Sequence, residues 1–471
     1  MSEVSTRDDA SLSWWNSLHL PDRDTWCRQW LERLYPLLRT SVGSSVADTL
    51  RVLQESIPLK VEGVPTGTRI GDWTVPAEWD VGRAYVEDED GTLVIDSADC
   101  NLHVVNGSEP VDRWLTFEEL LPHLHVDSRH PQAIPYRTSY YHSAWGFCCS
   151  QSRLNQLAQA GSSRRYHAVI ESERKPGLLR WGEYSIAGES EAEVIFSAHL
   201  CHPSLANDNL SGMLVAVLLA RYLASRPRRV SYRFLWGPGT IGPIAWWHSH
   251  GEPRRPCLGG AVLAMLGDDS PLNFKRSLAG RTPFEQSLRS SAERSGTEVQ
   301  WRDFTPEGYD ERQFNSVGIN LPLGRLSRAD WTTWPAYHCS LDNLDCVETR
   351  SIRDAFLLLA TTCDQLESLT CPMADWGPGE PQLGRHGLWN SPRSDWTDSD
   401  WRRAIGWIAT LADGRMLIEE MSAVSHCEVS LLVAAVDAMT ARGLLQNHRL
   451  IDSTGTPGNA PPRPPRACGE R

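Results

Sequence analysis

The feature that most constrains the fold is an alternation of apolar strands and helices that begins near residue 190. Val194-Ile-Phe-Ser-Ala-His199 is typical of a buried strand, residues 212–224 predict a helix rich in Leu, Val and Ala, and Tyr232-Arg-Phe-Leu-Trp236 predicts the next strand. Sheets of this kind are mainly parallel, are covered by helices, and bind ligands at the carboxyl ends of their strands. We therefore predict an α/β domain with a functional site at His199.

The segment 59–185 has a different character. Short runs with β propensity, such as Asp72-Trp-Thr-Val75 and Leu93-Val-Ile95, are separated by turn signals. Helical spacing precedes this segment and the strand–helix alternation follows it. We predict an all-β module at 59–185, placed within or beside an α/β domain that comprises 1–58 and 186–372.

The C-terminal part predicts a small helical domain. Three short helices and a β-wing that begins at Gly443 fit a winged-helix domain at residues 376–450. Nine acidic and seven basic residues fall between 376 and 449, so this domain is a weak candidate for reading DNA. Residues 453–471 are rich in Pro, Gly and Arg, and we predict that they form a disordered tail.

Charge and hydropathy limit the partners. With 471 residues and a formal net charge of −13, the chain lacks the basic excess expected of a nucleic-acid-binding protein, so we expect no nucleic acid partner. No apolar run of about 18 residues occurs, and the N-terminus shows no signal-peptide pattern. We expect a cytoplasmic protein with no membrane partner. A homo-oligomer is compatible with the sequence.

Two segments contain the residue types that zinc prefers. His199, His202 and Asp208 fall between a strand and a helix, and His338 follows in a later loop. Imidazole and carboxylate groups are common zinc ligands, and a catalytic zinc site keeps one position open for water. We predict one or two zinc ions. The alternatives are that single histidines are structural or exposed, and that Asp208 is a helix N-cap.

The same segments resemble the signatures of a bacterial family with an aminopeptidase-like zinc domain. The matching motifs are 199–212, Gly308-Tyr-Asp-Glu-Arg-Gln-Phe314, Tyr337-His-Cys-Ser-Leu-Asp-Asn-Leu-Asp345, 72–79, 134–141, 145–148 and 380–384. The resemblance covers about residues 25–449. It implies a zinc-aminopeptidase-like mixed sheet flanked by helices, an inserted β-rich module and a C-terminal winged-helix domain.

The resemblance also implies roles for particular residues. His199, or its neighbour His202, resembles the first zinc ligand, Asp208 the metal-bridging carboxylate and His338 the last ligand. Which of His199 and His202 binds is open. Further candidates are Asp268 as a ligand, Asp310 and Glu311 as catalytic carboxylates, and Asp342 and Asp345 as groups that orient His338. For Asp310 and Glu311, a salt bridge with Arg312 or Arg325 is the alternative.

One position departs from the family pattern. Where the family reads Pro-Glu-Thr-Ile-Gly, this chain reads Pro238-Gly-Thr-Ile-Gly242, so the general-base carboxylate expected at Gly239 is absent. A general base contributes roughly 10²–10⁴-fold in rate, so hydrolysis by the inherited mechanism is in doubt. The alternative is that Gly239 only permits a tight turn and that another carboxylate acts.

Three functions follow from these observations. The first is a zinc-dependent, aminopeptidase-like amide hydrolase, or a relative repurposed for biosynthesis that acts on a small amino-acid-derived substrate or a peptide. The second is a catalytically impaired pseudoenzyme that binds a ligand or a protein partner. The third is a winged-helix DNA-binding regulator, which the charge balance disfavours.

Overall fold

An eight-stranded mixed sheet forms the scaffold of the larger part of the chain. The computed structural model describes residues 8–17, 23–139, 141–161, 164–190, 192–250, 255–367, 370–377, 379–413 and 416–449. In spatial order the strands are Lys60–Pro65, Leu178–Ile186, Ser231–Gly237, Glu193–His199, Cys257–Leu263, Leu323–Ser327, Leu272–Lys275 and Val299–Arg302. Parallel and antiparallel pairs both occur, so the sheet is mixed.

The strand Glu193–His199 lies inside this sheet and is buried along its whole length. Its apolar side chains explain this position, and the ring of Phe196 stacks on Phe234 of the neighbouring strand with centroids 5.2 Å apart. The helix Gly212–Ala224, which follows it, is buried on nearly every side because it is apolar all round. The other helices of this part are Asp8–Ser17, Arg23–Leu34, Ser44–Gln54, Ile241–His250, Pro283–Ser295, Glu311–Phe314 and Thr349–Leu366.

The inserted module is built on a four-stranded antiparallel sheet. Its strands, in spatial order, are Leu93–Asp96, Glu78–Asp88, Arg165–Lys175 and Val111–Thr116. Two short helices, Phe117–Leu120 and Gln151–Gln159, and two small strand pairs, Arg69–Ile70 with Trp73–Thr74 and Leu124–His125 with Phe147–Cys148, accompany it. The module is therefore β-rich but not all-β.

The bounds 59 and 185 predicted for this module differ from those in the structure. Lys60–Pro65 and Leu178–Ile186 pair with each other, and Leu178–Ile186 also pairs with Ser231–Gly237 in the eight-stranded sheet. Both strands thus belong to the main sheet. Local sequence showed that they are strands, but which sheet a strand joins depends on pairing with residues far away along the chain.

The chain divides into two compact units. The smaller unit comprises the chain from Gln365 onward with the short segments Ala187–Glu193 and Arg228–Ser231, and the larger unit comprises the rest. The described residues of the smaller unit form three helices, Asp398–Leu411, Ile418–Ser425 and Val429–Thr440, and the antiparallel strands Thr370–Ala374 and Leu445–Arg449. Its first strand precedes residue 376, the predicted start. The predicted tail 453–471 lies outside the described residues.

Among the described helices, none is both long enough and apolar enough to span a lipid bilayer.

We expect Phe196→Ala to destabilise the larger unit by about 3–5 kcal/mol, because it removes a fully buried ring from the centre of the sheet and leaves a cavity. Urea denaturation followed by tryptophan fluorescence measures this effect. The control is Leu278→Ala, which removes a side chain that is 64% exposed and should change the free energy of unfolding by less than about 0.5 kcal/mol. Equal effects of the two substitutions would contradict the assigned core.

Candidate metal centre

Three imidazoles converge on one carboxylate at the end of the central strand. His199 Nε2 lies 2.8 Å from Asp208 Oδ1, and His202 Nδ1 and His338 Nε2 lie 3.3 and 3.2 Å from Asp208 Oδ2. His199 ends the strand, and Asp208 lies in the irregular turn Ala206–Ser211, which runs into the helix Gly212–Ala224. The structure therefore brings together both His199 and His202 with Asp208 and His338.

The carboxylate of Asp208 does not cap a helix. Its side chain points to the imidazoles, and its backbone φ and ψ lie outside the helical region. Asp208 is fully buried, yet neither its Oδ2 nor His338 Nε2 has a hydrogen-bond partner. Buried polar atoms are nearly always satisfied, so two such atoms 3.2 Å apart fit a site for a metal ion. The donor set of nitrogen and oxygen atoms fits zinc.

The electrostatics of the cluster favour an ionised Asp208 and a neutral His202. Burial alone would raise the pKa of Asp208, but the three histidines outweigh burial and lower this pKa well below its usual value. Burial lowers the pKa of His202 to about 4, which keeps this ring neutral. For His199, burial acts in the same direction, but the hydrogen bond and the charge of Asp208 raise its pKa. Ionised carboxylates and neutral imidazoles are the forms that bind metal ions.

Asp342 holds the turn that carries Asp208. Its carboxylate accepts the backbone N–H groups of Ala206 at 3.1 Å, Asn207 at 2.6 Å and Asp208 at 2.9 Å. The sequence suggested that Asp342 and Asp345 orient His338. Asp342 instead contacts the turn 206–208, and Asp345 is 88% exposed and lies 3.5 Å from Arg28. Asp342 is close to His338 in the sequence, which is why the prediction paired them. The sequence cannot show which backbone N–H groups the oxygens of Asp342 accept in the folded chain.

Asp268 hydrogen-bonds to Asn207 and is not among the described residues whose ligand atoms cluster with those of His199, His202 and Asp208. Its Oδ2 accepts a hydrogen bond from Asn207 Nδ2 at 2.6 Å, and its Oδ1 accepts one from the backbone N–H of Ser270 at 2.7 Å. The described contacts therefore place Asp268 behind the turn rather than in the cluster. Because both oxygens already have partners, Asp268 is better suited to support the turn than to bind metal.

The adjacent carboxylates Asp310 and Glu311 have different surroundings. Glu311 is fully buried, and its Oε1 lies 2.8 Å from Lys275 Nζ and 3.7 Å from Arg325 Nη1. The expected partner Arg325 is thus present, together with Lys275, which the sequence analysis did not identify. Arg312 instead donates to Thr240 Oγ1 at 3.1 Å. Both cations approach the same oxygen of Glu311, so this side chain is engaged in buried ion pairs.

Asp310 lies beside the position of the missing carboxylate. Its Oδ1 accepts the backbone N–H of Thr240 at 2.6 Å, and a Cβ atom on Gly239 would lie 3.8 Å from this oxygen and 3.7 Å from His199 Cβ. Burial raises the pKa of Asp310 to about 6. The structure therefore places a carboxylate with a raised pKa next to the glycine.

Two tyrosines that the motifs contain, but to which the sequence analysis gave no role, stack on the histidines. Tyr309 lies parallel to His199 with centroids 5.2 Å apart, and Tyr337 lies parallel to His338 with centroids 3.9 Å apart. Tyr309 directly precedes Asp310 in the sequence, and Tyr337 directly precedes His338. This adjacency was the sequence signal from which their role could have been predicted. The two rings limit the movement of the imidazoles.

The inserted part of the chain also reaches the site. The backbone N–H of Tyr136 donates to the carbonyl of His338 at 2.8 Å, and Ile134 and Ser340 exchange two hydrogen bonds of 2.9 Å. His338 has a φ of 57°, a left-handed conformation that is unfavourable for a residue with a Cβ atom. The neighbouring hydrogen bonds from residues 134–136 hold this conformation.

A cavity of about 430 Å³ opens beside the imidazoles. Its described lining includes His199, His202, Tyr309, Asp310 and His338. A volume of this size is within the roughly 300–1,000 Å³ typical of small-molecule sites. We call this cavity the cleft.

A family model described as a domain of unknown function, DUF4910, matches residues 28–368, and a winged helix-turn-helix model matches residues 372–447. The chain belongs to the DUF4910 family. A Clostridium acetobutylicum relative is 34% identical over 418 residues, which are 88% of this chain and 95% of the relative. Its name proposes a polysaccharide biosynthesis protein with an aminopeptidase-like domain.

Solved structures show what fold this DUF4910 member shares. A crystal structure from Clostridium acetobutylicum, proposed to be a peptidase, has a TM-score of 0.75 at 32% identity and covers 94% of this chain and 98% of its own. A zinc aminopeptidase from Bacillus subtilis has a TM-score of 0.52 at 14% identity, over 74% of this chain and 96% of its own. The predicted aminopeptidase-like α/β fold and the C-terminal winged-helix domain are confirmed.

We expect Asp342→Asn to weaken zinc binding by about 10–100-fold. The amide of asparagine is a weaker acceptor than a carboxylate for the three backbone N–H groups of residues 206–208, and its N–H₂ group cannot accept from them, so the turn is held less firmly. Competition with a fluorescent zinc chelator measures the affinity. Asp345→Asn is the matched control, because Asp345 lies three residues away and is exposed. A zinc affinity that is the same in both variants would show that Asp342 does not support the site.

Proposed function

We propose that this chain is a zinc-dependent amide hydrolase of the aminopeptidase-like type. The observation that carries the proposal is the convergence of three imidazoles on Asp208, whose buried Oδ2 has no hydrogen-bond partner. The shared fold with a zinc aminopeptidase supports the same chemistry. The aminopeptidase-like domain in the name of the Clostridium acetobutylicum relative agrees with it.

His199, His202 and Asp208 would hold the zinc ion, because one ligand atom of each lies within 4.8 Å of the others. His338, whose Nε2 lies 3.2 Å from Asp208 Oδ2, is the further candidate ligand. The other candidate ligands are engaged elsewhere, because Asp268 hydrogen-bonds Asn207 and Glu311 pairs with Lys275. Zinc in such a site supplies a Lewis acid for a carbonyl group and for water. The described residues therefore favour one ion over two.

Asp310 would replace the carboxylate that is missing at Gly239. In amide hydrolysis the oxygen of water bonds to the acyl carbon, the C–N bond breaks, and the nitrogen leaves with a proton from the water. Asp310 would accept this proton and return it to the departing nitrogen. Its position beside Gly239 and its pKa of about 6 suit a group that must gain and lose a proton near neutral pH.

The second candidate is a pseudoenzyme that binds a ligand in the cleft without turnover. Gly239 favours this alternative, and so does the ion-paired state of Glu311. Gly239→Glu distinguishes the two proposals, because a Cβ atom at this position meets only ordinary contacts of 3.5–3.8 Å. Turnover by the glutamate variant alone would support the pseudoenzyme.

We expect the purified protein to contain one zinc ion per chain and His338→Ala to bind zinc at least tenfold more weakly, because the variant loses the imidazole that lies 3.2 Å from Asp208 Oδ2. Inductively coupled plasma mass spectrometry gives the stoichiometry, and chelator competition gives the affinity. His386→Ala, in the C-terminal unit, is the control. Protein that takes up no zinc at stoichiometric concentrations would end the proposal.

We expect Asp310→Asn to lower kcat by about 10²–10⁴-fold while zinc binding stays within about threefold of the parent, since Asp310 is proposed to move a proton and not to hold the metal. Release of amine from a panel of aminoacyl amides and N-acyl compounds measures kcat. Asp269→Asn, an exposed aspartate outside the cleft, is the control. Undiminished turnover by Asp310→Asn would exclude Asp310 as the proton acceptor.

A further inference from the structure

The cleft offers little to a substrate that has a free amino group. Of the described residues that line the cleft, Asp310 is the only carboxylate, and its Oδ1 already accepts the N–H of Thr240 at 2.6 Å. The lining also includes the exposed cation Arg312. A free ammonium group needs an anionic partner when it leaves water. The charge of this cleft therefore favours a substrate whose nitrogen is neutral, as it is in an N-acyl group.

Aromatic rings and hydroxyl groups dominate the rest of the lining. Trp73 and Tyr141 meet edge to face with ring centroids 5.9 Å apart, and the side chain of Tyr141 is 59% exposed. Tyr136, Thr138 and Ser41 add hydroxyl groups to the same cleft. Aromatic rings provide large apolar faces, and hydroxyl groups donate and accept hydrogen bonds.

This combination matches the surface of a sugar ring. A pyranose has an apolar face of C–H groups that can stack on an aromatic ring, and a rim of hydroxyl groups that need both donors and acceptors. An apolar amino-acid side chain would use the aromatic rings but not the hydroxyl groups. The volume of about 430 Å³ leaves room for one or two sugar rings beside the imidazoles.

We propose that the amide processed in the cleft is carried by a sugar, so that the substrate is an N-acylated amino sugar. This proposal rests on the proposed amide hydrolase function. The C–N bond of the acylamido group would break, the oxygen of water would bond to the acyl carbon, and the sugar amine and a carboxylic acid would leave. Trp73 and Tyr141 would bind the sugar ring and would take no part in the bond changes.

The test measures binding, so it does not depend on turnover. The full chain loaded with zinc is titrated calorimetrically with N,N′-diacetylchitobiose and, separately, with the dipeptide Leu-Gly. We expect the disaccharide to bind more tightly than the dipeptide, and Trp73→Ala and Tyr141→Ala each to weaken it by about three- to tenfold. Trp389→Ala, which removes an exposed tryptophan of the C-terminal unit, should leave the affinity unchanged.

Trp73 packs against buried residues, so Trp73→Ala can also disturb the fold. Tyr141→Ala controls for such a folding defect, because Tyr141 is largely exposed. Tighter binding of the dipeptide, or disaccharide binding that neither aromatic variant weakens, would overturn the proposal. Those results would leave the zinc and Asp310 experiments, and thus the hydrolase function, unaffected. Conversely, disaccharide binding that depends on both aromatic residues supports the sugar site even if the chain proves to lack turnover.

Discussion

The buried carboxylate of Asp208 is the group on which the site depends. An isolated ionised carboxylate cannot be kept in an apolar interior, so Asp208 requires partners that compensate its charge. The three imidazoles lie 2.8–3.3 Å from its oxygens, and one oxygen still lacks a hydrogen bond. A cation bound by these residues, as we propose, would satisfy this requirement. The three imidazoles are positioned by different parts of the backbone. His199 ends a strand, His202 lies in the loop that follows it, and His338 has a left-handed backbone conformation.

The surrounding residues fix this carboxylate by contacts to backbone as well as to side chains. Asp342 accepts three successive N–H groups of the turn, and Asn207 within that turn is held by Asp268. Two acidic residues thus support the site without reaching the imidazoles. The inserted part of the chain has a similar effect on His338, whose carbonyl accepts the N–H of Tyr136. The insertion therefore contributes to the site and is more than an appended module.

At position 239 this chain has glycine where the family pattern has glutamate. The structure shows which groups surround this glycine. The backbone at this position leaves space for a side chain, with the nearest side-chain atoms 3.5–3.8 Å from a Cβ atom. Asp310 lies at the edge of that space, whereas Glu311 forms ion pairs with Lys275 and Arg325. Two adjacent carboxylates thus have opposite characters because one faces the cleft and the other faces buried cations. Aromatic and hydroxyl-bearing residues complete the cleft.

The sequence by itself predicted the α/β scaffold and the winged-helix domain, and it proposed His199, His202, Asp208 and His338 as candidate ligands, because apolar periodicity and ligand spacing are local properties. Only the tertiary structure decided that both His199 and His202 face Asp208, that Asp342 supports the turn, and that Asp268 and Glu311 have other partners. It also decided that the strands at 60–65 and 178–186 join the main sheet. These outcomes depend on distances between residues far apart in the chain, and such distances exist only once the chain has folded.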